Sequence, residues 1–329
     1  MKEKTYEKEK MFLSPYAKKS SESAGREREE SACGMRTDFQ RDRDRIIYSK
    51  AFLRLKNKTQ VFFAPDGDHY ITRLTHTLDV SQIARSLARC LSLNEDLAEA
   101  IALGHDLGHT PFGHIGERVL AKLSPEGFRH SEQSLRVVDV LEKDGKGLNL
   151  TFEVRDGIVH HTKSGNPSTL EGVAVSLADR IAYINHDIED AIRAGYLSEE
   201  ELPADAVEVF GRDTSERINT AILDIYTESC GKPYVRMSEE RQKALDTLRA
   251  FMFERVYERA NKLIQESAER MLNELYTYFY GHPEHLPPLY RTVWEKEGGN
   301  RAVCDYISSM TDKYAISVFR TLFVPKEGI

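Results

Sequence analysis

The sequence has few cysteines, no long apolar run and no excess of basic residues. Its four cysteines are far apart and form no CxxC pair, which argues against a disulfide framework and favours a reducing compartment. No apolar stretch approaches the ~18 residues of a membrane span, and the N-terminal MKEKTYEKEKMF lacks the apolar core of a signal peptide. The net charge of −7 argues against a dedicated duplex-DNA-binding protein. We therefore expect a cytoplasmic protein that does not enter membranes.

Strand-like alternation and internal repeats are also missing from the sequence. With 40% apolar residues the chain is globular rather than disordered, and those residues recur at helical spacing. We expect an all-α fold. Residues 1–35 are expected to form a polar, partly ordered arm. One predicted helix begins near Thr72 and another after an N-cap at Asn94. Further helices are predicted over 131–142, 172–194, 198–228, 238–278 and 300–323. Between the helices we expect a turn at 64–69, loops at 143–150 and 162–170, and a break at 282–288.

Histidines are concentrated on the predicted core-facing stripes. His76 lies four residues before Val80 on one stripe, and His105 follows Ile101 at the same spacing on another. Three histidines and an aspartate fall within the ten residues from His105 to His114. A single such histidine is usually a satisfied core residue, but burying several titratable groups together is costly unless they pair or bind a metal. Imidazole and carboxylate ligands suit Mn²⁺, Fe²⁺ or Zn²⁺, and carboxylate with water suits Mg²⁺.

A further carboxylate is expected from the predicted helix over residues 172–194. Its apolar stripe runs from Val173 to Ile192, and at about 100° per residue the opposite face is polar. That face is either exposed to solvent or lines the same pocket as the histidines. Its members are Asp179, Tyr183, His186, Asp187 and Asp190.

These residues resemble a known family. The order His76, His105-Asp106, Asp179 is similar to the H…HD…D signature of the HD superfamily. Five segments narrow the resemblance to its deoxyguanosine triphosphate triphosphohydrolase branch, over about residues 13–325. They are FLRLKNKTQVF (52–62), ITRLTH (71–76), GHDLGHTPFGHIGE (104–117), ADRIAYINHDIEDAI (178–192) and VCDYISSMTDKYA (303–315).

The resemblance implies an HD-domain helical bundle with additional C-terminal helices, and a metal phosphohydrolase core at 36–200 followed by a C-terminal helical region at 201–329. It implies a divalent cofactor, Mg²⁺, Mn²⁺ or Fe²⁺, with four ligands. These are His76, His105, Asp106 and Asp179.

Further roles follow from the resemblance alone. It makes His109, His114 and His130 active-site histidines around the α-phosphate, with Glu117 orienting His114. Glu132, which lies near His130 in the sequence, is an alternative partner that the resemblance does not supply. The residues that match substrate-binding positions are Arg73 and Arg180 for the phosphates, Gln60 and Asp187 for the sugar 3′-hydroxyl, and Tyr183 for the deoxyribose. The simpler alternatives are a surface position for Arg73 and Arg180, and a backbone contact for Gln60.

The implied reaction is attack on the α-phosphorus, with His114 as the general acid. It would convert a deoxynucleoside triphosphate into a deoxynucleoside and inorganic triphosphate, whereas a cut between the α- and β-phosphates would give a monophosphate. Two alternatives remain open: another HD phosphohydrolase, such as a nucleotidase or phosphodiesterase, and a non-catalytic sensor of nucleotide or single-stranded DNA. The resemblance also implies a homo-oligomer and leaves a regulatory nucleotide or single-stranded DNA open. Base preference is not readable from the sequence.

Overall fold

The computed structural model describes residues 1–60, 71–257 and 262–325, and the predicted turn at 64–69 lies outside these ranges. Within them the chain is helical and has no β-strand, as predicted; the extended contacts are two isolated bridges. None of the described helices is long and apolar enough to cross a bilayer.

The helices follow one another with short connections. Short 3₁₀ turns lie at Ser20–Glu22, Leu55–Asn57, Glu199–Glu201 and Pro283–His285, and π-helical turns at Val137–Leu141 and Phe253–Tyr257. The α-helices are α1 (Lys2–Phe12), α2 (Asp38–Ile47), α3 (Lys50–Arg54), α4 (Arg73–Cys90), α5 (Glu95–Gly104), α6 (Gly113–Leu123), α7 (His130–Arg136), α8 (Glu142–Gly145), α9 (Phe152–Val159), α10 (Leu170–Arg193), α11 (Ala204–Phe210), α12 (Thr214–Ser229), α13 (Glu239–Met252), α14 (Lys262–Gly281), α15 (Pro288–Glu297), α16 (Gly299–Ser308) and α17 (Asp312–Phe323).

The chain divides into two compact units, each assembled from three separate segments. Unit 1 contains Met1–Tyr48, Thr75–His105 and Leu148–Ala260; unit 2 contains Ser49–Leu74, Asp106–Gly147 and Asn261–Ile329. In unit 1, α10 packs against α5, α9, α12 and α13; in unit 2, α14 packs against α6, α16 and α17. The domain boundaries expected after residues 35 and 200 stay predictions.

Buried polar contacts order the N-terminal arm within unit 1. Glu9 of α1 is buried and accepts hydrogen bonds from the backbone N–H and the hydroxyl of Ser20, at 2.7 and 2.6 Å. Arg26 forms an ion pair with the buried Asp42 of α2. Because buried carboxylates are costly without partners, these contacts fix the path of the arm. The sequence pattern had not indicated a helix in this arm, which contains α1.

Local signals placed several helix ends correctly. Asn94 caps α5 as predicted, its side chain accepting from the backbone N–H groups of Asp96 and Leu97.

The helices predicted over 198–228 and 300–323 are each broken in the structure. Gly211, with φ of 105°, ends the first helix of one pair, and Thr311 caps α17 in the other. Apolar periodicity continues across both breaks, which is why it did not show them.

Candidate functional site

In unit 1, three of the predicted metal ligands face one another. His76 lies on α4, His105 directly follows α5 and Asp179 lies on α10. Nε2 of His76 lies 3.1 Å from Oδ1 of Asp179, and Nε2 of His105 lies 3.7 Å from the same oxygen. Both imidazoles are buried, so the histidines on the core-facing stripes do meet the carboxylate from the polar face of α10.

A hydrogen bond on the side of the His105 ring that points away from Asp179 orients the ring, so that Nε2 faces Asp179. Nδ1 of His105 lies 2.7 Å from the carbonyl oxygen of Ala102. A carbonyl only accepts, so we assign the proton to Nδ1, which leaves the lone pair on Nε2. A metal-ligating histidine commonly has this arrangement.

His76 is held by two residues to which the sequence had assigned no role. Its Nδ1 lies 3.2 Å from Nδ1 of His186, whose Nε2 lies 2.8 Å from Oδ2 of Asp79. Because the Asp79 carboxylate accepts, Nε2–H of His186 donates to it, and Nδ1 of His186 accepts from Nδ1–H of His76. This relay leaves Nε2 of His76 with a lone pair towards Asp179. The available signals were the i, i+3 spacing of His76 and Asp79 and the position of His186 on the polar face of α10.

The donor atoms around Asp179 fit a cation. The lone pairs of the two imidazoles and the negative charge of the carboxylate repel one another unless a proton or a metal ion lies between them. Burial raises the pKa of Asp179, but a hydrogen bond from His76 and positive charge on the surrounding imidazoles outweigh it and hold that pKa below its ordinary value when no metal is bound. A divalent metal held by these residues would supply the same compensation.

The polar face of α10 is enclosed rather than exposed to solvent. His186, Asp187 and Asp190 are buried, and Tyr183 is partly buried. Arg180 is half-buried, and its Nη1 lies 3.4 Å from Oε1 of Gln242 on α13. The alternatives of a solvated helix face and an exposed Arg180 are therefore wrong.

One further buried histidine was missed by the sequence reasoning. His161 donates from Nδ1 to the carbonyl of Ile158 at 2.7 Å, and its ring centroid lies 5.0 Å from that of His105. It follows α9, outside the cluster of His76 to His130 that drew attention in the sequence.

In unit 2, the fourth predicted ligand is paired with a predicted phosphate-binding residue. Asp106, peptide-bonded to His105, accepts at Oδ2 from Nη1 of Arg73 at 2.6 Å, and both side chains are buried. Arg73 is the first residue of α4, as the sequence suggested, but its side chain is buried. The alternative of a surface position for Arg73 is therefore wrong. The charges of a predicted ligand and a predicted phosphate-binding residue lie side by side.

Three histidines and Glu117 form a cluster beside Asp106. Ligand atoms of Asp106, His109 and His130 lie within 4.8 Å of one another. The ring of His109 stacks on that of His130 at 4.5 Å and meets that of His114 edge-on at 5.6 Å. The structure therefore brings the predicted α-phosphate histidines together within unit 2.

Glu117 is bound more closely to His130 than to His114. Its Oε1 accepts from the backbone N–H of His130 at 2.8 Å and from Nδ1 of His130 at 2.9 Å, whereas Oε2 lies 3.5 Å from Nδ1 of His114. Glu132, the alternative partner considered for His130, instead pairs with Arg129 on the surface. The carboxylate expected to orient His114 is thus shared by two histidines.

The cluster separates the protonation states of its members. Burial, together with the positive charges of Arg73 and His130, holds the pKa of His109 well below its ordinary value. Burial acts the same way on His130, but the hydrogen bond and charge of Glu117 outweigh it and raise the pKa of His130. Burial raises the pKa of Glu117, but its hydrogen bonds with His114 and His130 and the positive charge of His130 hold that pKa far below its ordinary value. These opposite shifts keep His109 neutral and make His130 the more readily protonated of the two.

Gln60 and Arg73 lie next to the loop that carries the histidines. Gly113 has φ of 54°, and a Cβ there would lie 2.7 Å from the carbonyl oxygen of Gln60 and 3.3 Å from Nη2 of Arg73. Only glycine permits this approach. The side chain of Gln60 is buried. Of the other two sugar-binding candidates, Asp187 is buried and Tyr183 partly buried, both on α10.

Comparisons with known proteins identify both halves of the chain. Residues 73–184 match the HD domain, and residues 235–321 match the phosphohydrolase-associated domain. A deoxyguanosinetriphosphate triphosphohydrolase-like protein from Caldanaerobacter subterraneus is 58% identical over 99% of this chain and 96% of its own length. One from Clostridium perfringens is 50% identical over 97% of this chain and 96% of its own.

Among solved structures, a phosphohydrolase from Bacteroides thetaiotaomicron matches with a TM-score of 0.54 at 19% identity, covering 86% of this chain and 68% of that one. This similarity supports the fold. With the identities above, the chain belongs to the HD-domain phosphohydrolase family of deoxyguanosinetriphosphate triphosphohydrolase-like proteins.

Proposed function

We propose that this protein hydrolyses deoxynucleoside triphosphates to a deoxynucleoside and inorganic triphosphate, with a divalent metal as cofactor. The observation that carries the metal site is the convergence of Nε2 of His76 and Nε2 of His105 on one oxygen of Asp179. Asp106, the next residue after His105, completes the proposed ligand set. The printed names of the relatives support the substrate class.

A divalent metal bound there would polarise a phosphoryl oxygen and lower the pKa of water, which is the chemistry that phosphate ester hydrolysis needs. Mg²⁺, Mn²⁺ and Fe²⁺ all suit oxygen and imidazole ligands. Arg73 and Arg180 would bind the phosphates. For Arg73 this requires exchanging part of its contact with Asp106 for a phosphate oxygen, which a guanidinium with five N–H donors permits.

The histidine cluster supplies hydrogen bonds and a proton. Neutral His109 and charged His130 would donate to oxygens of the α-phosphate as negative charge develops there. His114 would protonate the leaving 5′-oxygen. Its side chain is 49% exposed, compared with 16% for His130, so a substrate reaches it more readily. Glu117, between the two, stabilises whichever imidazole carries the proton.

Deoxyribose recognition is proposed for Gln60, Tyr183 and Asp187. Gln60 and Asp187 would hydrogen-bond the 3′-hydroxyl, and the Tyr183 ring would pack under C2′ and exclude a 2′-hydroxyl. Tyr183 lies one helical turn after Asp179 on the same face of α10. This spacing supports a sugar position next to the metal ligands.

The proposed homo-oligomer rests on the family resemblance and the proposed cytoplasmic location on the cysteine content, and regulation by nucleotide or single-stranded DNA stays open. On α17, Phe319 and Leu322 are partly buried and Phe323 is 37% exposed. Light scattering of the purified protein would test the assembly, with Phe323→Ser expected to weaken it.

The direct test is product analysis. The purified protein is incubated with each deoxynucleoside triphosphate, singly and mixed, with Mg²⁺ or Mn²⁺, and the products are separated by anion exchange. Asp106→Ala removes a proposed ligand, and Asp205→Ala, an exposed aspartate on α11, is the matched control. We expect a deoxynucleoside and intact triphosphate from the wild type and from Asp205→Ala, and none from Asp106→Ala.

Other outcomes would contradict the proposal in distinct ways. A monophosphate with pyrophosphate would keep the metal site and overturn the choice of scissile bond. Turnover of other phosphoesters alone would indicate another HD phosphohydrolase, and binding without turnover would indicate a sensor.

A further inference from the structure

Asp312 connects two segments that carry proposed substrate-binding and catalytic residues. It is the first residue of α17, within the region that matches the phosphohydrolase-associated domain, and it is buried. Its Oδ2 accepts from the backbone N–H and the hydroxyl of Thr59, at 3.0 and 2.6 Å. Its Oδ1 accepts from the backbone N–H of Phe112 at 3.0 Å. One carboxylate therefore holds the residue before Gln60 and the loop between His109 and His114.

Lys58 makes a second connection between the same segments. Its Nζ donates to the carbonyl oxygens of His109 and of Ser308, the latter at 2.7 Å. The side chain is buried, and burial lowers the pKa of Lys58 to about 7. Buried lysines are rare unless they are paired, and this one donates to two backbone carbonyl groups, so it holds the His109 and Ser308 backbone to the same point.

The loop that these contacts hold has a backbone that would relax without them. Phe112 has φ of 59°, in the left-handed region that costs an L-residue roughly 1–2 kcal/mol. Its N–H is the group bound by Asp312, and the hydroxyl of Thr110 donates to the carbonyl of Gly113 at 2.8 Å. Strained backbone at a functional site persists where surrounding contacts over-determine it.

We propose that Asp312 is a positioning residue for catalysis: it fixes the His109–Gly113 loop and Thr59, so that His109, His114 and Gln60 keep the spacing that the substrate requires. The catalytic part of this inference rests on the proposed function. It gives the phosphohydrolase-associated region a specific task, which is to complete the backbone support of the histidine loop in unit 2. A misplacement of about 1 Å can cost on the order of 100-fold in rate.

If Asp312 had a purely structural role, amide substitution of any comparable buried carboxylate would lower kcat by the same factor. The chain offers a matched control for this comparison. Glu142 is buried in the same unit and accepts from the backbone N–H groups of Lys50 and Ala51, at 3.1 and 2.7 Å, but it holds no proposed site segment. Asp312→Asn replaces one acceptor oxygen by an NH₂ group that cannot bond an N–H donor. Glu142→Gln makes the same chemical change at the control position.

The experiment measures kcat and KM for a deoxynucleoside triphosphate together with hydrogen exchange of the peptides that cover 106–116. We expect Asp312→Asn to lower kcat roughly 10–100-fold and to accelerate exchange at Phe112, whereas Glu142→Gln changes kcat by less than about threefold and leaves that exchange unchanged. Thr59→Val removes only the 2.6 Å hydroxyl contact and should give a smaller loss of kcat than Asp312→Asn. If Asp312→Asn does not fold, Thr59→Val takes its place in the kcat comparison.

Equal kcat for Asp312→Asn and Glu142→Gln, or for Thr59→Val and the wild type, would overturn the catalytic role. Unchanged exchange at Phe112 in Asp312→Asn would overturn the connection itself. A wild type without turnover would instead contradict the proposed function, while the exchange measurement would still decide whether Asp312 holds the loop.

Discussion

Nδ1 of His186 lies 3.2 Å from Nδ1 of His76, and Nε2 of His186 continues to Asp79 at 2.8 Å. This relay directs the lone pair of His76 towards Asp179. Residues that orient a metal-ligating histidine typically contribute 10–100-fold to metal affinity. We therefore expect His186→Phe, and to a smaller extent Asp79→Asn, to weaken Mn²⁺ binding by about that factor.

Isothermal titration calorimetry of the metal-free variants with Mn²⁺ checks this prediction. His160→Gln is the control, because His160 directly follows α9, is 44% exposed and places its Nδ1 3.0 Å from Oδ1 of Asp156. Equal dissociation constants for His186→Phe and His160→Gln would show that the relay does not support the metal site.

The pairing of Glu117 with His130 predicts a pH-dependent stability. Because Glu117 raises the pKa of His130 above its ordinary 6.5, the charged pair stabilises the fold below that pH and loses its effect as pH rises through the raised value. On the acid side the effect persists well below pH 4.5, since the pKa of Glu117 is lowered. We expect Glu117→Gln to lower the free energy of unfolding by about 1–3 kcal/mol near pH 6 and by less as the pH rises through the raised pKa of His130.

Urea unfolding at a series of pH values measures this difference. A stability loss that grows with rising pH would contradict the assignment of a charged His130. The same variant should lower the pKa of His130, which NMR titration of the imidazole signals reports directly.

Close packing at Gly108 predicts a position where any side chain destabilises the histidine loop. A Cβ there would lie 2.2 Å from the backbone nitrogen of Ser134, whose hydroxyl accepts from Gly108 N–H at 2.9 Å. Backbone cannot move aside as a flexible side chain can, so we expect Gly108→Ala to cost at least about 1–3 kcal/mol. Gly34→Ala, with nothing within 4 Å, is the control in thermal unfolding and should be neutral. Equal melting temperatures would contradict the packing.

The proposed contact of Tyr183 with the sugar predicts a change in selectivity. Tyr183→Ala would remove the ring that excludes a 2′-hydroxyl, so the ratio of kcat/KM for dGTP to that for GTP should fall at least about tenfold, as expected for a lost steric exclusion. Tyr183→Phe keeps the ring and should preserve the ratio. An unchanged ratio in Tyr183→Ala would remove Tyr183 from sugar recognition.

Much of this molecule could be predicted from the sequence because the signals are local. Apolar spacing of three and four residues predicted the helices and placed His76 and His105 on buried faces, and the side chain of Asn94 alone set the start of α5. The polar face of α10, with Asp179 on it, followed from helical geometry. Whether that face met solvent or other side chains did not, because burial depends on which other helices pack against it.

The tertiary structure decided the partnerships between residues far apart in sequence. Spacing allowed Glu117 to bond His114 and allowed Glu132 to bond His130, but the packing of α6 and α7 gave Glu117 chiefly to His130. No pattern could connect Asp312 to Phe112, because they are 200 positions apart. The sequence by itself determined helices such as α5 and α10 and the polar face of α10, since those depend on neighbours within one turn, but it did not determine α1 or the breaks before α12 and α17. Only the fold decided which carboxylate, imidazole and backbone groups satisfy one another, because that depends on where distant segments come to lie.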